Sequence, residues 1–224
     1  MGGFAPGGTI LEESVMEKYV GVNGQQTLKP SAQCAKAAKK ANQVLGQMAR
    51  GLHFREKYTW VLLYVQYCRP HLEYAVQSWN PWYRADIDLL ESVQERAIKM
   101  VSGLSSKNYH DRLKEVGLTT LETRRERGDM IQVWKIVHQK DNVDPAIWFQ
   151  MASENNRITR HSTSPWNITS RRSKDTGEIR HNFFSMRIVD KWNTLPESVK
   201  SSTSLNNFKN NYDSHLASIA TIPY

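Results

Sequence analysis

An uncharged run from Tyr58 to Cys68 dominates the hydrophobic pattern of this chain. Its Trp60, Val61, Leu62, Leu63, Tyr64, Val65 and Tyr67 point to every side of a helix. The run is far shorter than the roughly 20 apolar residues a bilayer requires, so the pattern predicts a central helix covered all round. Pro70 suits a first helical turn and cannot continue the helix before it. From there Leu72, Ala75, Val76 and Trp79 form one stripe facing back onto the first helix. Asn80 tolerates a left-handed helix end, and Pro81 prevents continuation. A third helix follows from about Asp86, with Leu90, Val93, Ala97 and Val101 as its stripe and Glu91, Glu95 and Lys99 toward water.

Helical spacing continues on both sides of this hairpin. Ser31 is an expected N-cap, followed by the small-residue stripe of Cys34, Ala37, Ala41, Leu45, Met48 and Leu52. A short helix from Tyr109 to Val116 is stopped by Gly117. Thr119 and Glu122 have capping-box spacing and open a helix to about His138, with Leu121, Ile131, Trp134 and Val137 inward. From 153 to 181, Ser, Thr, Asn and Arg replace apolar residues and no period is left. Phe184, Ile188 and Trp192, then Leu205, Phe208, Tyr212 and Leu216, restore helical stripes. The pattern predicts an all-α fold, a helical bundle with a central buried helical hairpin and a long basic loop. Its expected parts are a flexible 1–30, a helical bundle over 31–152, a basic polar loop over 153–181, docking helices over 182–216 and a tail from 217 to 224.

Charge adds a second layer. The net charge of +8 sits in two islands, because residues 31–58 sum to +5, residues 157–191 sum to +5, and the rest of the chain is near neutral. That distribution suits a polyanion-binding protein. In the first island Lys36, Lys39, Lys40 and Arg50 lie with Gln43 and Gln47 on the helix face opposite the small-residue stripe. Such a face offers donors and almost no acceptors, which suits phosphate oxygens; a solvated surface face is the competing reading. Arg55 and Lys57 extend the patch. In the second island Arg157, Arg160, Arg171, Arg172, Lys174 and Arg180 interleave with Trp166, compatible with single-stranded nucleic acid or with a mobile basic linker. Arg124, Arg125 and Arg127 stand among Glu122, Glu126 and Asp129, as expected of a salt-bridged surface. With two cysteines in apolar contexts and no secretory or membrane-spanning segment, the expectation is an intracellular protein, nuclear or cytoplasmic.

Arg69 to Trp79 and Asp86 to Lys99 resemble the region after the polymerase core of non-LTR (LINE) retrotransposon reverse transcriptases of the jockey-like kind. Further blocks follow in the same order: Ala41 to Gly46, Leu118 to Glu122 with Arg124 and Arg125, Arg127 to Met130, Asn182 to Ser185, Trp192 to Pro196, and Ser204 to Lys209. The resemblance implies the thumb and post-thumb part of such a polymerase, with the helix of Lys36, Lys39 and Lys40 lying along a template–primer duplex. It also implies that Tyr19 to Val22 is a remnant palm strand, left with an exposed edge that a protein partner could cover.

The chemistry of that family is missing from the sequence. Two-metal phosphoryl transfer needs adjacent aspartates, and no Asp-Asp pair occurs. Tyr83 to Asp88 only superficially approaches the motif. The histidines and cysteines have no zinc-site spacing, and no phosphate-binding glycine loop appears. We therefore expect no catalytic residue, metal or cofactor, and binding of RNA, DNA or an RNA–DNA hybrid through its backbone without sequence specificity. A helical protein-interaction module, an inert product of a decayed element, or a partial record of a longer active reverse transcriptase are the alternatives.

Overall fold

The computed structural model describes residues 16–25, 27–151, 164–170 and 177–220. The fold is mostly helical, as the hydrophobic pattern predicts, with two small two-stranded sheets among the described residues. It forms two compact units, residues 1–123 and 124–224, each with its own apolar core. The boundary falls inside the stretch 31–152 that the sequence suggests is one bundle.

The first unit opens with an antiparallel hairpin, β1 (Met16–Tyr19) and β2 (Val22–Gln25). Of the residues expected as a lone palm strand, Tyr19 and Val22 end the two strands and Val20 and Gly21 form the turn, at φ 46° and φ 88°. The strand finds a partner within the chain, and Tyr74 donates its hydroxyl to the Val20 carbonyl at 3.0 Å. Helix α1 (Ser31–Gly51) buries Cys34, Ala37, Ala38, Ala41 and Leu45, and these small side chains permit close packing on α5 (Arg84–Lys99). Ser31 does not cap α1. Its hydroxyl donates to the buried Asp86 at 2.6 Å, which ties the first turns of α1 and α5 together.

Helix α2 (Lys57–Leu63) continues into a π turn over Tyr64–Cys68, where the Arg69 amide reaches the Tyr64 carbonyl five residues back at 2.9 Å. It is not covered all round. Trp60, Tyr64 and Cys68 form its buried line, whereas Tyr58, Leu62 and Tyr67 are exposed. Tyrosine tolerates this because its polar tip can stay wet while its ring leans on apolar neighbours. Pro70 does begin a helix, but the expected single helix is two short ones, α3 (Pro70–Glu73) and α4 (Val76–Trp79). The left-handed residue is Ala75 at φ 52°, not Asn80, whose ψ of 121° is the extended setting a following proline imposes. Trp79 Nε1 donates to the Tyr74 carbonyl at 2.8 Å across that break, and Leu72, Val76 and Trp79 are buried as the stripe predicts.

Helix α6 (Tyr109–Val116) ends at Gly117, φ 67°, where the sequence places it. Gln94 of α5 is fully buried; it accepts from the Tyr64 hydroxyl and donates to Tyr109, Thr119 and Glu91. Glu91 therefore does not simply face water. It accepts the Tyr109 hydroxyl and the Leu121 amide at the start of α7 (Leu121–Val137). The expected Thr119–Glu122 box is displaced by one residue, because Thr120 Oγ1 accepts the Thr123 amide at 3.2 Å.

The second unit contains most of α7, then α8 (Pro145–Trp148), β3 (Phe149–Met151) and β4 (Ile168–Ser170). It continues through α9 (Glu178–His181), α10 (Phe184–Arg187), α11 (Val189–Thr194), α12 (Glu197–Lys200) and α13 (Leu205–Ala220). Trp134, Phe184, Ile188, Trp192, Phe208 and Tyr212 fill its core, an aromatic arrangement that the stripes predict. The aperiodic stretch 153–181 is not wholly a loop. Within it, β4 pairs with β3, and Ile168 is fully buried. Trp166 stacks on His138 at 4.4 Å between centroids, and its carbonyl accepts from Trp192 Nε1, so it is packed rather than offered to a base. The cluster around Arg124 is also more than a surface network. Arg125 and Asp129 are buried, and Arg127, Glu126 and Asp129 pair with Asp213, Lys191 and Arg187.

Candidate nucleic-acid interface

Helix α1 sets the geometry of the candidate site. At about 100° per residue, Lys36, Lys39, Lys40, Gln43, Gln47 and Arg50 fall within one arc of about 100°, opposite the buried alanines and Leu45. Lys39, Lys40, Gln43, Gln47 and Arg50 are exposed, and none has a hydrogen bond or ion pair among the described residues. From Lys39 to Arg50 the row extends about 16 Å along the helix axis, at about 1.5 Å per residue. Arg50 stands in the last turn, where the negative end of the helix dipole favours a cation.

Three of the other cations expected here are already engaged. Lys36 donates to the Gly21 carbonyl at 2.9 Å and to Asn23 Oδ1 at 2.7 Å, so its amine holds the hairpin turn against α1. Asn23 reinforces the same contact, its amide donating to Gln33 Oε1 at 2.9 Å. Arg55 donates to the Ala49 carbonyl at 3.0 Å, and its guanidinium lies over the Trp60 ring at 5.3 Å. Lys57 pairs with Glu115 at 3.3 Å. Lys107 joins it there at 3.0 Å, and the two ammonium groups hold the Glu115 carboxyl below the usual carboxylate range. Arg180, on α9 in the second unit, is exposed. Arg157, Arg160, Arg171, Arg172 and Lys174 lie outside the described residues.

Two exposed rings that follow this row in the chain were not among the candidates. Phe54 is 76% exposed and Tyr58 73% exposed, on either side of the corner that joins α1 to α2. Their signal in the sequence is aromatic residues alternating with Arg50, Arg55 and Lys57. Glu56 fixes the corner by accepting the Tyr58 and Thr59 amides at 3.0 and 2.9 Å. The Thr59 amide, then that of Tyr58, lowers the pKa of its carboxyl.

A groove of about 360 Å³ runs between α2 and the turn after α6. Val61, Leu62, Val65, Val116 and Leu118 line it, with Lys57 and Tyr58 at the start of α2. Among the described residues no group of His, Cys, Asp and Glu could hold a metal ion, and no helix is long and apolar enough to cross a membrane. The chain matches no family model, no curated protein and no solved structure.

Proposed function

We propose that this chain is a non-catalytic nucleic-acid-binding protein derived from a retrotransposon reverse transcriptase, gripping RNA, DNA or their hybrid through phosphates without reading sequence. One observation carries the reading: an exposed row of Lys39, Lys40 and Arg50, with Gln43 and Gln47 between them and no carboxylate on the helix, opposite a side that is locked into the core. Rigid presentation matters because cations that are already positioned lose little freedom on binding. The collinear resemblance to polymerase thumb segments supports the same assignment, and the lack of an Asp-Asp pair supports binding without copying.

The test is a binding curve for a short RNA–DNA hybrid between about 50 and 200 mM salt. Each duplex phosphate neutralised contributes about 0.9 to the slope of log K against log salt, so the α1 cations should contribute about 2.7. Salt-independent affinity, or none at the lowest salt, rejects the proposal. A second reading, a helical protein-interaction module, is favoured by the apolar groove beside α2. It predicts no shift of nucleic acid in a gel under any of these conditions.

A further inference from the structure

Phe54 and Tyr58 have no part in phosphate binding, yet they are exposed on the corner that follows the last turn of α1, the turn that carries Arg50. Three features make the corner between α1 and α2 a built surface. First, it is anchored from both sides: Arg55 Nη2 bonds the Ala49 carbonyl at the end of α1, and the Arg55 carbonyl accepts the Ser102 amide at 3.0 Å. Second, the Arg55 guanidinium lies over buried Trp60, and Glu56 caps α2, so the backbone that carries both rings is held. Third, neither ring has a ring–ring or cation contact among the described residues, whereas Trp82, Trp134, Trp148 and Trp166 all do. Exposing two aromatic rings to water is unfavourable without an occupant, and the neighbouring charge selects what that occupant is. Arg50, Lys39 and Lys40 are positive and unpaired, whereas the carboxylates at the corner are engaged, Glu56 in capping α2 and Glu115 with Lys57 and Lys107.

We infer that the Phe54–Tyr58 corner is a stacking platform for unpaired bases, so that the protein takes single strands, or duplexes with a single-stranded extension, in preference to blunt duplex. The inference rests on the phosphate-binding reading of α1 and adds the substrate class to it. A base in a duplex presents no free face to such a ring, whereas any unstacked base does, so the preference is for strandedness and not for sequence. Backbone phosphates of the same strand meet the α1 row, and the rings take the bases.

The experiment uses the full chain and three probes of equal length: oligothymidylate, oligouridylate, and an abasic deoxyribose-phosphate oligomer that keeps the charge and lacks the bases. Phe54→Ala with Tyr58→Ala should weaken binding of both base-bearing probes by roughly five- to a hundredfold and leave the abasic probe unchanged. Phe54→Trp should keep or tighten the base-bearing complexes. Melting curves check that the variants stay folded, as expected for exposed positions. Equal weakening of all three probes, or none, overturns the platform while the α1 row stands. Failure of the unaltered chain to bind any probe overturns both. Loss on one base-bearing probe alone also overturns it, because stacking does not depend on the sugar.

Discussion

Arg187 holds Asp129 with two guanidinium nitrogens, Nε to Oδ2 at 3.1 Å and Nη2 to Oδ1 at 3.0 Å, inside the second unit. Both side chains are largely shielded from water, at 15% and 5% exposed. Burial is the largest influence on the Asp129 carboxyl and raises its pKa, and the arginine works against it. Among the groups that favour the charged form, the Arg187 fork comes first and Lys191 after it. Arg187→Ala should cost about 3–5 kcal/mol, since it leaves an uncompensated buried carboxylate. Chemical denaturation measures it, and a loss below about 1 kcal/mol would show that Asp129 can reach water.

Trp79 closes the first unit where α3 breaks into α4. Its indole fills the core at 5% exposure and its Nε1 meets the Tyr74 carbonyl. Trp79→Ala removes both and should destabilise by roughly 3–5 kcal/mol. A melting temperature that hardly moves would contradict the packing described above.

His138 lies between the rings of Trp134 and Trp166 at 4.6 and 4.4 Å, with Nε2 donating to the Lys200 carbonyl at 2.8 Å. Burial lowers its pKa below the ordinary 6.5, opposed by that hydrogen bond and aided by Lys140. Below pH 6.5 the unfolded chain therefore binds more protons at this position than the folded one, so stability falls as the pH drops. Between pH 7.5 and 5.5 the urea midpoint of the unaltered protein should decrease more than that of His138→Gln. Parallel pH profiles would remove His138 as the cause.

Lys36 and its neighbours on α1 should separate cleanly. Reversal of Lys39, Lys40 and Arg50 to glutamate should weaken binding of every nucleic-acid sequence alike and reduce the salt slope by about 2.7. Lys36→Met should leave that slope unchanged and instead loosen the hairpin, read as faster hydrogen exchange at Asn23. If Lys36→Met alone abolished binding, the division between structural and available cations would be wrong.

Much of this molecule is legible from residue spacing. The stripes through Leu90, Val93 and Ala97, through Trp134 and Val137, and through Phe208 and Tyr212 all turn inward, because burial of one helix face is a local property. Gly117 likewise announces its own left-handed turn. What spacing cannot reveal is which polar group another element will claim. Ser31 looks like a cap until Asp86 takes its hydroxyl, and Lys36 and Arg55 look like phosphate ligands until nearby carbonyls occupy them. The break at Ala75 is of the same kind, since alanine favours a helix, yet it is left-handed here with Trp79 bonded to the Tyr74 carbonyl and Ser78 to its own.

Both cysteines of the chain, Cys34 and Cys68, belong to the first unit and are 0% exposed. Cys68 donates its thiol hydrogen to the Ala41 carbonyl at 3.2 Å, and burial pushes its pKa up to about 12. A maleimide or a disulfide reagent thus has nothing to attack while that core is shut. The molecule thereby carries its own stopwatch: the pace of labelling clocks the opening of one half, and the cysteine-free half contributes no signal.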